Sequence, residues 1–182
     1  MTLEELKAYK AKCDEVQSTI KRDIAYIEKG NAEREGIILC KYEELVERLR
    51  ELVGLLPEDM PKHFGTLYRK KTFADGSSVE MDAGNLHVTD FTWNGSSVYA
   101  INTWVYIPSR HSCGIQFMVK KDGVGGHLMG KEDKLWLADK ADGIYELAKD
   151  VVAECHKDYN NLLIKKNKEA LERAEHLHNQ EL

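Results

Sequence analysis

An α+β fold is predicted for these 182 residues by three observations: apolar residues recur every three or four positions near both ends, the period changes to two after Gly65, and turn dipeptides punctuate that middle stretch. The expected architecture is a single domain spanning 1–182. It comprises an N-terminal helical hairpin over 1–60, an antiparallel β-meander of about five strands within 65–138, and a long C-terminal helix over 142–178.

From Thr2 to Lys29 the residues Leu6, Tyr9, Cys13, Val16, Ile20, Ile24 and Ile27 make one apolar stripe on a helix, with Thr2 and Glu5 placed as a capping box. Gly30 and Asn31 are expected to break it. A second helix follows from Ile38, Tyr42, Leu45, Val46, Leu49, Leu52 and Val53, ending at Gly54 ahead of Pro57 and Pro61.

In the middle, Asp75-Gly76, Gly84-Asn85, Asn94-Gly95 and Asp122-Gly123 read as turns. They bound strands at Thr66–Phe73, Val79–Met81, Leu86–Trp93, Val98–Ile107 and Cys113–Lys121. The hairpin from Phe91 to Val98 carries the clearest signal, because Asn-Gly readily adopts the positive φ angles of a tight turn. The segment Val124–Ala138 reads as a Gly-rich loop with a short edge strand around Leu135, Trp136 and Leu137. Beyond it Ile144, Leu147, Ala148, Val151, Val152, Cys155, Tyr159, Leu162 and Leu163 trace the last helix, with Asp142 as its expected N-cap. Helices this long outrun a small sheet at about 1.5 Å per residue, so their far ends call for a partner, and a homodimer is the expected solution.

Composition narrows the function classes. Residues 1–60 hold 10 Lys/Arg against 14 Asp/Glu, residues 61–138 hold 9 against 7, and residues 139–182 hold 7 against 10. Acidic helices around a mildly basic sheet do not make the clustered positive field that duplex DNA requires, so tight binding to free duplex DNA is not expected. No apolar run is long enough to span a bilayer and the N-terminus does not read as a signal peptide, so the expectation is no membrane partner and a cytoplasmic location. Cys13, Cys40, Cys113 and Cys155 form no CxxC pair and read as buried thiols, with no structural metal or cofactor implied.

Four motifs are weighed for chemistry. Gly125–Lys131 fits GxxxxGK, but Glu132 stands where the magnesium-binding hydroxyl belongs and no helix is expected to open at Lys131, so a turn loop is the better reading. Arg110 and His111 at a strand junction, with His127 in the next loop, are the candidate catalytic groups: imidazoles brought together serve as acid and base in phosphodiester cleavage. Exposed loop residues are the alternative. Apolar groups on both faces of Val98–Ile107 predict a central strand buried on two sides; the other reading is an aromatic platform for bases, flanked by Arg69, Lys70, Lys71, Lys120 and Lys121. Glu43, Glu44, Glu47 and Glu51 make an acidic helical face suited to a basic partner or simply to solvent.

From the acidic helical start MTLEELKAYKAKCDEVQ through the meander LHVTDFTWNGSSVYAINTWVYI to the charged helical tail, the chain resembles the small phage and mobile-element anti-CRISPR proteins directed at Cas9. That resemblance implies a partner, Cas9 with its guide RNA, and inhibition by occupying a basic channel with carboxylates such as those of Glu43, Glu44, Glu47 and Glu51. Guide-RNA cleavage through Arg110, His111 and His127 is the enzymatic alternative, and a helical dimerisation or adaptor protein is the third.

Overall fold

The computed structural model describes residues 3–66, 68–87, 97–108, 115–126 and 130–180. The α+β class holds: helix α1 (Leu3–Gly54) precedes six strands, β1 (Phe64–Gly65), β2 (Arg69–Thr72), β3 (Ser78–His87), β4 (Ser97–Tyr106), β5 (Ile115–Lys120) and β6 (Gly123–Gly126), then α2 (Lys131–Asp139) and α3 (Ala141–Gln180). Two compact units are distinguished, Met1–Cys40 and Lys41–Leu182.

The first correction concerns the N-terminus. The helical hairpin is absent, and α1 is one helix of 52 residues that runs through Gly30 and Asn31. A lone glycine costs a helix about 1 kcal/mol relative to alanine, which the surrounding Ala, Glu, Lys and Arg residues tolerate; no proline follows to enforce a stop. Lys29 and Glu33, one turn apart, pair at 3.9 Å across the expected break. Within the first unit the stripe is exposed, from Leu6 and Tyr9 to Ile24 and Ile27, because a single helix has nothing to bury it against.

In the second unit the strands pair antiparallel in the order β1, β3, β4, β5, β6, with β2 lying beside β1 on the same edge of β3. The five-row meander is as expected, but its second turn is not. Gly84-Asn85 does not reverse the chain; β3 runs through it in unbroken register with β4, from Ser78 opposite Tyr106 to His87 opposite Ser97. Gly84 is needed there for another reason. Its φ is +150° and a side chain would collide with the Phe64 carbonyl, so only glycine lets β1 lie so close.

Alternation sorts the sheet into two faces. Val79, Met81, Ala83, Ile101, Val105, Phe117 and Val119 are fully buried on one, where they join Leu45 and Leu49 of α1, Leu137 of α2, and Ile144 and Val151 of α3 in the core. Each such side chain contributes on the order of 2 kcal/mol by leaving water. Met60 closes the end of this layer, with the Sγ of Cys155, buried as expected, 3.8 Å from its sulfur; Cys13 and Cys40 are exposed instead, on the part of α1 that buries no stripe. The other face carries a smaller apolar patch of Ala100 and Met118, with Leu86 and Val98 packed against it.

Two further corrections lie near the C-terminus. Residues expected as an edge strand form α2, whose first turn is closed by Asp133: its Oδ2 accepts the Gly130 N–H at 3.0 Å. Trp136 then packs edge-on against Phe73, at 5.8 Å between ring centres. Asp142 is not the N-cap of α3 but stands inside its first turn, 97% exposed and 3.4 Å from Arg48. Burial along α3 ends at Tyr159; Ile164, Leu171 and Leu177 are exposed.

Candidate functional site

Glu43, Glu47 and Glu51 follow one another at i+4 on α1, with Glu44 beside them, and all four are exposed. Their placement as one acidic ridge agrees with the spacing. Glu47 has a close cation on its own helix, the Arg50 guanidinium at 2.7 Å.

The five basic residues do not form one stripe. Register puts Arg69 and Lys71 opposite Met81 and Val79 on the helix-covered face, whereas Lys70 is opposite Glu80 and Lys120 opposite Ala100 on the other. Arg69 is paired with Glu154, Lys70 with Glu80 at 3.3 Å, Lys120 with Asp122 at 3.2 Å and Lys121 with Glu58 at 3.5 Å. Cations already matched by carboxylates add little field for phosphate. Arg110, His111, Cys113 and His127, and the hairpin with Phe91, Trp93 and Asn94-Gly95, lie outside the described residues.

The GxxxxGK match gains one feature and loses another. A helix does open at Lys131, contrary to expectation, but the Asp133 carboxylate occupies its N-terminal donors, where a phosphate would have to sit. Glu132 in that first turn adds a second negative charge. Gly125 and Gly126 belong to β6 rather than to a turn loop, and residues 127–129 lie outside the described residues.

The face of the sheet away from the helices holds a polar row that periodicity did not reveal. Asp82, Asn102 and Met118 are successive cross-strand partners, with Trp104 opposite both Glu80 and Gln116. Gln116 Nε2 donates to Asn102 Oδ1 at 3.0 Å, and the Asn102 side chain in turn bonds the Asp82 carboxyl. Burial pushes that carboxyl up to about 6, against the lowering effect of the Asn102 bond. Among the described residues Asp82 Oδ1 is buried without a hydrogen-bond partner, and the buried Trp104 indole N–H is directed to the Tyr68 hydroxyl. Tyr68 lies alongside; burial and then the Asp82 charge push its hydroxyl up. The arrangement is an acceptor and an indole donor on one floor, with Lys70 5.8 Å from the Tyr106 ring at its margin. The sequence carried a signal for it, since Asp82, Asn102 and Gln116 interrupt otherwise apolar strands.

A second cluster was missed altogether. His63, just before β1, and His87, the last residue of β3, stand with ring centres 4.7 Å apart and planes at 77°. The β1–β3 register brings them together, Phe64 pairing with Asn85 and Gly65 with Gly84. His63 has φ of 59°, in the left-handed region that histidine visits more readily than bulky residues. Both side chains are exposed.

No helix among the described residues is long and apolar enough to cross a membrane. No family model, no curated protein and no solved structure matches the chain.

Proposed function

We propose that this chain acts by binding, pairing with a second copy through the apolar stripe of α1 and presenting the Glu43, Glu44, Glu47 and Glu51 ridge to a basic partner. The observation that carries this reading is the stripe: Leu6, Tyr9, Val16, Ile20, Ile24 and Ile27 are all 45% exposed or more. Aligned apolar residues left in water on one helix mark an association surface. A lipid surface is a poor occupant, because interfacial helices are rich in Lys and Arg, whereas residues 3–40 hold 7 Lys/Arg against 8 Asp/Glu. A matching helix of a second copy buries the stripe and leaves that balanced charge in solvent.

The resemblance to anti-CRISPR proteins directs the acidic ridge to Cas9 with its guide RNA, and with it a place in the bacterial cytoplasm. Carboxylates there compete with phosphate for the channel's Lys and Arg. Incubation with a Cas9–guide complex should therefore block target cleavage, leave the guide full length, and weaken as salt rises. Reversing Glu43, Glu44 and Glu47 to lysine should reduce inhibition at least tenfold. A guide shortened only in the presence of the protein, or inhibition untouched by the charge reversal, would overturn binding through this ridge.

A further inference from the structure

The His63–His87 pair has no part in the binding surfaces on α1, and its geometry fits a ligand of its own. A metal ion bound by imidazole lies about 2.0–2.1 Å from nitrogen, hence roughly 3.2 Å from the ring centre. Two rings holding one ion at tetrahedral or right-angled positions then have centres about 4.5–5.2 Å apart. The observed separation is 4.7 Å. The rings meet edge to face at exposed positions, so sharing an ion requires the side chains to turn until one nitrogen of each faces a common point. The same closeness argues against acid–base catalysis on a phosphodiester held between them, since a phosphate with a hydrogen bond to each ring needs the centres several ångströms further apart.

The scaffold beneath the pair is stiff where it matters. Gly84 accepts close contact from β1, and Gly65 is hemmed in by Leu86, whose Cδ2 would stand 2.7 Å from any added Cβ. Asn85 Nδ2 donates to the Met60 carbonyl at 3.1 Å, which ties β3 to the segment entering β1. With register held on both sides, His63 is carried to His87 by backbone geometry, and its left-handed φ turns it there. A sparsely populated backbone conformation that aligns two ligand-type side chains at an open edge points to a site.

We propose that His63 and His87 together bind one divalent transition-metal ion of the imidazole-preferring class, such as Ni²⁺, Zn²⁺ or Cu²⁺. Among the described residues no group of three His, Cys, Asp or Glu forms around any point, so those residues offer the ion two nitrogens, and water can fill further positions. Hard, oxygen-seeking Mg²⁺ and Ca²⁺ are excluded by the same donor set.

Titration of the full chain with Ni²⁺ by calorimetry tests this, with Mg²⁺ as the contrasting ion. The expected result is one ion bound per chain at micromolar affinity, no response to Mg²⁺, and affinity lowered at least tenfold in His87→Ala. His63→Asn provides the second arm, because asparagine keeps the left-handed backbone while removing the imidazole, so its loss of binding is not a loss of fold. Circular dichroism of both variants should match the parent. Undiminished Ni²⁺ binding in both variants would overturn the site, as would binding abolished by His111→Ala or His127→Ala and not by these two.

Discussion

Asp82 shows how one side chain couples the polar row to stability. Its carboxyl is raised from 3.8 to about 6 by burial, so the folded protein holds the proton more tightly than the unfolded chain does. Stability linked to this group is therefore gained as pH falls through about 6 and lost as pH rises through it, the reverse of a carboxylate held by a cation. Asp75, held at about 2 first by Ser77 and then by Lys140, stays charged in both states over that window. Replacing Asp82 with asparagine should raise stability at pH 7.5 by about 1–2 kcal/mol, allowing for partial exposure, and by roughly a third of that at pH 4.5, between the unfolded and folded values. Urea titrations of both proteins at the two pH values check this. Equal gains at both would place the Asp82 charge in solvent. The row itself was half legible: alternation put Trp104 and Tyr106 on one face of β4, but nothing in a linear pattern shows that Asp82 and Gln116 arrive on either side of Asn102.

At the scale of elements, the β1–β3 edge rests on one backbone conformation. Gly84→Ala puts a Cβ at a φ of +150° and against the Phe64 carbonyl. The cost should be about 2 kcal/mol or more, and it should fall on β1 and on the His63–His87 contact together. Amide exchange that is faster across 64–66 and 84–85 than in the core strands checks this, and unchanged protection would mean that β1 pairs in some other way. The same glycine explains a misreading, for Gly-Asn is a turn dipeptide by local propensity and a strand position only when another backbone must approach closely. Gly30-Asn31 misled in the same manner, since propensity marks where a helix is weakened and tertiary context decides whether it stops. The α2 helix was signalled by Glu132 and Asp133 after Gly130, a start pattern masked by the glycines before it. The helical character of α1 and α3 was legible because a period of 3.6 over many turns has no competing interpretation, whereas the continuity of α1 through Gly30 was not. Residues His63 and His87, 24 positions apart, had no such pattern; only a register shows them to be neighbours.

For the whole molecule, the sum of exposed apolar side chains on α1 is the feature that demands an explanation. A helix in water gains little from packing against nothing, and one as long as α1 is stabilised in proteins mainly by burial of an apolar face. The proposed pairing would supply that face for residues 3–40. Charged substitutions in the stripe should then break the assembly without touching the sheet, whose core residues lie in the second unit. The most direct measurement is light scattering on the full chain across micromolar concentrations, beside an Ile20→Glu, Ile24→Glu double variant. The account predicts about twice the 20.8 kDa chain mass for the parent and a single chain mass for the variant, with β-sheet content unchanged. A parent that stays at 20.8 kDa throughout, or a variant that keeps the doubled mass, would contradict it.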